Sequence, residues 1–249
     1  MIYNRMFSAT IAAGVISSFG VWAHSQTATA EWLNPVSGNW TDATKWSTAP
    51  TYPNSNLYDV VLGAEGQDYV VQLGTDTVLH SLTIDSPSAT LKQTSRTLTV
   101  QNVFTLDGGV YLSEGGHLAN TAVSINNGEF RSRFNASLTN VTFQDSLSGT
   151  IRGLFTVYDG LELDSSILHL GTGGGFKFEL QGTTNTLSGT GQIVFDSESG
   201  SLQAEGSSTS SMIIGEGIQI RTGLGNGSIS ATSNLIKSYF QKLWTAAPG

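Results

Sequence analysis

Phe104-Thr105-Leu106-Asp107-Gly108-Gly109, Val123-Ser124-Ile125-Asn126-Asn127-Gly128, Val141-Thr142-Phe143-Gln144-Asp145-Ser146 and Leu161-Glu162-Leu163-Asp164-Ser165-Ser166 follow one another through the middle of the chain. Each opens with apolar residues at every second position, the pattern of a half-buried strand. Each closes with short polar residues or glycine, the chemistry of a tight corner. Asp107, Asn126, Asp145 and Asp164 lie 19 residues apart, and a fixed period near 20 residues is what one turn of a β-solenoid requires. The third segment is out of step, its apolar Val141 and Phe143 shifted by one as though a bulge intervened. The expected fold is all-β, a right-handed parallel β-helix in which these four residues align in space. A β-sandwich or jelly roll is the alternative, and it would scatter them.

The pattern extends outward from this stretch. Tyr69-Val70-Val71-Gln72-Leu73, Leu82-Thr83-Ile84, Leu98-Thr99-Val100 and Val110-Tyr111-Leu112 also read as strands, and no helical period interrupts them. Pro35, Pro50, Pro53 and Pro87 lie early and Pro248 at the very end, so nothing between them breaks a hydrogen-bond ladder by lacking an N–H. Stacked repeats leave two open ends that invite aggregation unless covered. The expected organisation is therefore an aromatic cap over 31–58, a β-helix over 59–232, and a helical plug and tail over 233–249. In that last segment Leu235, Ile236, Tyr239, Phe240, Leu243 and Trp244 fall on one helical face.

Residues 1–30 have the layout of a signal peptide. Arg5 precedes an uncharged stretch from Met6 to Ala23, and Ala28-Thr29-Ala30 offers small residues for cleavage after Ala30, with a second candidate after Ala23. No second apolar span follows, so the mature chain is expected to be secreted or held at the cell surface with no membrane span. Four Asn-x-Ser/Thr sequons, at Asn39, Asn135, Asn140 and Asn226, matter only in a host that glycosylates.

Composition removes several classes of function. The net charge is −8, and no basic cluster joins aromatic residues in a nucleic-acid motif, so phosphate backbones are repelled and nucleic acid is not expected as a partner. The absence of cysteine excludes disulfides, thiolate metal sites and a cysteine nucleophile. No cofactor or metal site is expected.

Gly38-Asn39-Trp40-Thr41-Asp42-Ala43-Thr44-Lys45-Trp46-Ser47, then Pro50 and Pro53, then Asp59-Val60-Val61-Leu62 and the Leu-Thr-Val pieces at 82–84 and 98–100, resemble the opening of bacterial secreted proteins related to autotransporter passengers and their β-strand repeats. The likeness spans roughly 32–130, and its specific part is the two-tryptophan segment. It implies a parallel β-helix outside the cytoplasm and, for many members, no assigned activity. The larger relatives carry a C-terminal translocator barrel or a hydrophobic sorting tail that is not evident here, which leaves the mode of attachment open.

Candidate chemistry is sparse. An aligned Asp/Asn column would favour a cation or a raised pKa, but corner residues account for it without a ligand. Trp40 and Trp46 form a sugar-stacking platform if exposed; beside Pro and Gly they more naturally bury against the first repeat. Polysaccharide cleavage needs carboxylates on adjacent repeats beside a base. The chain has no Asp-Asp pair, Gly115-Gly116-His117 is not the Gly-His-Gly of polygalacturonase-like enzymes, and only Arg131, Arg133 and Arg152 near Asp145 suggest such a site. His24, His80, His117 and His169 show no ligand spacing, no Gly-x-Ser-x-Gly elbow holds a nucleophile, and Gly173-Gly174-Gly175 precedes no helix. The expected role is a non-catalytic extracellular or cell-surface module, structural or adhesive, with extracellular glycans or surface matrix as partners. A polysaccharide lyase or glycoside hydrolase and a glycan-binding domain are the alternatives.

Overall fold

The computed structural model describes residues 27–146, 149–180, 184–206, 211–231 and 236–238. It is all-β, and its backbone is organised by three series of paired strands. In the first, Ala30 pairs with Val60, Val60 with Leu82, Leu82 with Phe104, Phe104 with Val123, Val123 with Phe143 and Phe143 with Leu163. In the second, Val71, Leu91, Tyr111, Phe130, Ile151, Leu170 and Phe195 pair in turn. The third runs Thr77, Leu98, Leu118, Leu138, Val157, Phe178, Ala204, Ala231. The chain visits first, second and third series in order and then returns to the first, one strand further along. Every ladder between described strands is parallel.

That topology overturns the sandwich alternative, because jelly rolls are built from antiparallel strands. It also makes the core a set of columns. The residues of the first two series are buried together in one cluster, and their neighbours along each strand face outward, as strand Ala89–Thr94 shows with strict alternation. Aromatic rings link successive repeats: Tyr111 and Phe130 lie 4.8 Å apart, Phe130 and Phe155 4.8 Å, Phe130 and Phe143 5.5 Å. One repeat alone leaves its apolar row open to water; stacking closes it.

The structure departs from the sequence expectation in three places. The ladder begins at strand Ala28–Glu31 rather than at 59, and strands Gly38–Asn39 and Ser55–Leu62 lie within the region read as a cap. Ala30, expected as the last residue of the leader, is wholly buried inside that first strand, so cleavage after it would remove three of the strand's four residues; residues 1–26 lie outside the described residues. At the far end, Ile236–Ser238 is a strand paired with Met212–Ile214, not a helix. The edge of the preceding strand offers unmade backbone hydrogen bonds, and pairing there outweighs helical periodicity. Residues 239–249 of the expected plug lie outside the described residues. Among the described residues the one helical element is the 3-10 turn Ala43–Lys45, capped by Asp42, and no helix is long and apolar enough to cross a membrane.

Candidate functional site

Trp40 and Trp46 do not present their faces to solvent. Both are fully buried, with Trp46 wedged edge-on between Trp32 and Trp40 at centroid distances of 4.9 and 4.7 Å. Their indole N–H groups donate inward, Trp40 to the Pro53 carbonyl at 2.8 Å and Trp46 to the Trp40 carbonyl at 2.7 Å. With rings packed and polar edges satisfied internally, the pair closes the first repeat, and the stacking platform is withdrawn.

The Asp/Asn series aligns only in part. Asn126 donates to Asp107 at 2.5 Å, as the 19-residue spacing predicts. Beyond it the spacing in register becomes 20, since Val123 faces Phe143 and Phe143 faces Leu163. Asp164 therefore stands opposite Gln144 on one side and Thr190 on the other, not opposite Asp145. Asp145 itself turns the corner at a φ of 50°. The buried column there is made of serines: Ser146 Oγ accepts from the Ile125 N–H at 2.8 Å, and Ser166 Oγ accepts from the Ser146 N–H at 3.2 Å. No group of three or more metal-ligating side chains occurs among the described residues.

The histidines are held singly. His80 Nδ1 lies 2.7 Å from Asp59, whose carboxylate also accepts from the hydroxyls of Ser81 and Thr27. Burial pushes the Asp59 pKa up, but the Ser81, Thr27 and His80 hydrogen bonds outweigh it and hold the carboxyl below its ordinary value. Because the carboxylate sits between hydroxyl and imidazole, the imidazole is bonded to Asp59 rather than to the hydroxyl, and the Ser-His-Asp order of a nucleophilic triad is not formed. His117 contacts Thr139 at 2.8 Å, and burial lowers its pKa. His169 contacts Asp196 at 2.6 Å. His24 lies outside the described residues. Gly173-Gly174-Gly175 makes a turn in which the Gly174 N–H donates to Gly171, and leads into strand Gly175–Leu180.

The arginines, by contrast, gather. On the outer side of the second series Arg131 pairs with Arg152 in register and Arg133 with Glu114. Glu129 receives both Arg131 and Arg152; Glu114 receives Lys92 at 2.8 Å and Arg133 at 3.6 Å. Lys92, chiefly through its hydrogen bond and then its charge, and Arg133 beside it hold the Glu114 carboxyl below its ordinary value against the opposing effect of burial. Four cations share two carboxylates on this face, in a chain whose net charge is −8.

At the end of that face lies a cleft of about 290 Å³, lined among others by Arg133, Phe134, Asn135, Thr156 and Lys177. Lys177 sits in register with Thr156, and its ammonium is held by Glu205 at 2.9 Å and Glu179 at 3.4 Å. The Glu205 hydrogen bond foremost raises its pKa against the effect of burial. The cleft floor is fixed: the Ser132 hydroxyl donates to the Leu154 carbonyl at 2.8 Å, and the Arg133 carbonyl accepts from the Gly115 N–H at 3.0 Å.

Phe134 stands out within this cleft. Thr94, Glu114 and Arg133 are aligned, and the residue after each takes a positive φ: Ser95 at 45°, Gly115 at 70°, Phe134 at 50°. Serine and glycine suit such a corner; a bulky ring is strained there. Every other non-glycine residue with positive φ among the described residues is Ser, Asn or Asp. Phe134 is nevertheless 75% exposed, so no burial offsets the strain. Sequence reasoning passed over it. The legible signal is an aromatic residue at a corner that neighbouring repeats fill with Ser95 and Gly115, directly after Arg131-Ser132-Arg133. Compared with protein-family models, curated proteins and solved structures, the chain matches none.

Proposed function

We propose that the three parallel series close as a right-handed parallel β-helix and that the chain works outside the cytoplasm, secreted or at the cell surface, as a non-catalytic structural or adhesive module. The observation that carries this reading is the repeated parallel return of the chain through the same three series, seen among the described residues from Ala28 to Ser238. Such a stack makes a stiff, elongated surface on which outward side chains stand in fixed rows. The signal-like layout of Arg5 followed by the uncharged stretch from Met6 to Ala23, and the resemblance of the two-tryptophan segment to autotransporter-type passengers, support the location. Outward carboxylates and cations pair across neighbouring strands, as in a surface built for rigidity.

The test is incubation of the secreted chain with a panel of uronate and neutral polysaccharides, assaying new reducing ends and unsaturated products. The reading expects no turnover with any of them. Reproducible turnover that disappears in Arg152→Ala or Asp145→Ala would overturn it.

A further inference from the structure

We infer that the Phe134 cleft and the adjoining cationic face form a binding site for a linear polyuronate. The inference rests on the reading of the chain as a non-catalytic surface module. Three independent observations converge on it.

The first is the distribution of charge. Of the 11 basic residues in the sequence, Lys92, Arg131, Arg133 and Arg152 share one face and Lys177 borders the cleft at its end. Glu114 and Glu129 pair with the first four and Glu179 and Glu205 with Lys177, so five cations meet four carboxylates and one positive charge is left over. Arg133 is the freest: its side chain is 63% exposed and its contact to Glu114 is 3.6 Å, longer than a charge-assisted hydrogen bond. Guanidinium forks match carboxylates in a bidentate way that a lysine cannot.

The second is spacing. Arg131 and Arg152 occupy adjacent strands of a parallel ladder, hence about 4.8 Å apart along the stack. That advance is close to one pyranose of an extended linear polysaccharide, so a polyuronate laid along the stack passes one sugar per strand, and the carboxylates turned toward the protein meet the cations. Duplex nucleic acid fits poorly, because it carries one charge per about 1.7 Å of axis, denser than this short cationic row in an acidic chain can meet. A neutral glycan leaves the surplus positive charge unused.

The third is Phe134. An exposed aromatic face suits the C–H face of a pyranose ring, and beside it Asn135 and Thr156 offer amide and hydroxyl groups for sugar hydroxyls. The ring is kept in water at a corner where neighbouring repeats use Ser95 and Gly115. Backbone strain retained without any packing return marks positions kept for contact rather than for folding.

The test is calorimetric titration of the full secreted chain with oligogalacturonate of defined length, at low and at high salt. Saturable binding that weakens with salt is expected. Phe134→Gly should weaken it by about tenfold with no loss of thermal stability, because glycine relieves the corner strain. Phe134→Trp should restore it. Arg133→Gln should weaken binding by about fivefold and flatten its salt dependence, whereas Arg221→Gln, at the far end of the same series and bonded to Gln192, should leave it unchanged. No saturable binding, binding unaffected by Phe134→Gly, or equal binding of a sulfated polymer or neutral glucan would each overturn the assignment. Cleavage of the oligogalacturonate would instead overturn the non-catalytic reading, which keeps the two failures distinct.

Discussion

Phe130→Ala tests the stacked core directly. Phe130 is fully buried and touches rings from both neighbouring repeats, with centroids 4.8 Å from Tyr111 on one side and 4.8 Å from Phe155 and 5.5 Å from Phe143 on the other. Truncating a buried phenylalanine costs about 3–5 kcal/mol through lost transfer energy and the cavity left behind. Each aromatic pair adds about 0.5–1.5 kcal/mol beyond its area. The neighbours are themselves pinned by a parallel ladder and cannot collapse into the gap, which favours the upper part of the range. In a domain of this size about 1 kcal/mol corresponds to about 2–4 °C in melting temperature, so a fall of about 6–20 °C is expected. The assay is urea and thermal unfolding followed by far-UV circular dichroism, which reads the whole ladder. Tryptophan fluorescence then reads the N-terminal end, where Trp32, Trp40 and Trp46 are buried. Phe134→Ala, the same deletion at a 75% exposed ring four residues on, should stay within about 0.5 kcal/mol of the parent. A loss below about 1 kcal/mol for Phe130→Ala, or equal losses for the two variants, would refute the stacked-core account.

Three further outcomes follow from the same geometry. Gly153→Ala should destabilise by at least about 2 kcal/mol, since φ is +75° and the added Cβ would meet the Ser132 carbonyl oxygen at 2.3 Å; Gly173→Ala, with φ +66° and nothing within 4 Å, should lose only the backbone cost, and denaturant midpoints compare the two. The Glu114 carboxyl is held below its usual 4.5 when folded, so its contribution to stability is present above that value and is lost as pH falls through the folded pKa; Glu114→Gln should flatten the acid limb of a melting-temperature profile. The N-terminus of exported protein, read by intact mass, should lie upstream of Thr27, because Thr27 bonds Asp59 and Ala30 is buried against the ladder; a chain beginning at Glu31 would contradict that.

What the sequence made legible was the repeat and its direction of packing. Alternation in Leu82-Thr83-Ile84 and Val123-Ser124-Ile125 told inward from outward, and the 19-residue interval correctly joined Asp107 to Asn126. It failed one repeat later for a specific reason. The corner before each of these segments is turned by Asn120, Asn140 and Asp159, all with positive φ, and Asn140 donates to Asn120 at 3.0 Å. Those two asparagines are 20 residues apart, and this second ladder sets the register while Asp145 slips out of it. A single residue of turn chemistry inside an apolar run leaves little trace in periodicity. The terminal strand Ile236–Ser238 was misread because an amphipathic pattern of spacings one, three and four does not reveal an open strand edge waiting beside it. The cleft was illegible for another reason. Arg133, Phe134 and Asn135 are contiguous, but Thr156 and Lys177 join them only because the repeats have lengths that bring Thr156 under Lys177. Trp40 and Trp46 illustrate the converse: residue type suggested a surface, and packing against Trp32 made them core.

Because the chain contains no cysteine, the register can be read chemically. Thr142 and Glu162 are Cα partners on neighbouring parallel strands, with a side-chain contact of 3.2 Å between them. The double variant Thr142→Cys with Glu162→Cys therefore places two thiols within the Cα span of about 4.4–6.8 Å that a disulfide requires. Thr142→Cys with Asp164→Cys is two residues out of step, about 8 Å away by strand rise and spacing. Oxidation should crosslink the first pair rapidly and quantitatively, detected as an internal bond by peptide mass mapping, and leave the second largely free. Failure of the first pair to close, or equal closure of both, would contradict the parallel in-register stack on which the whole account stands.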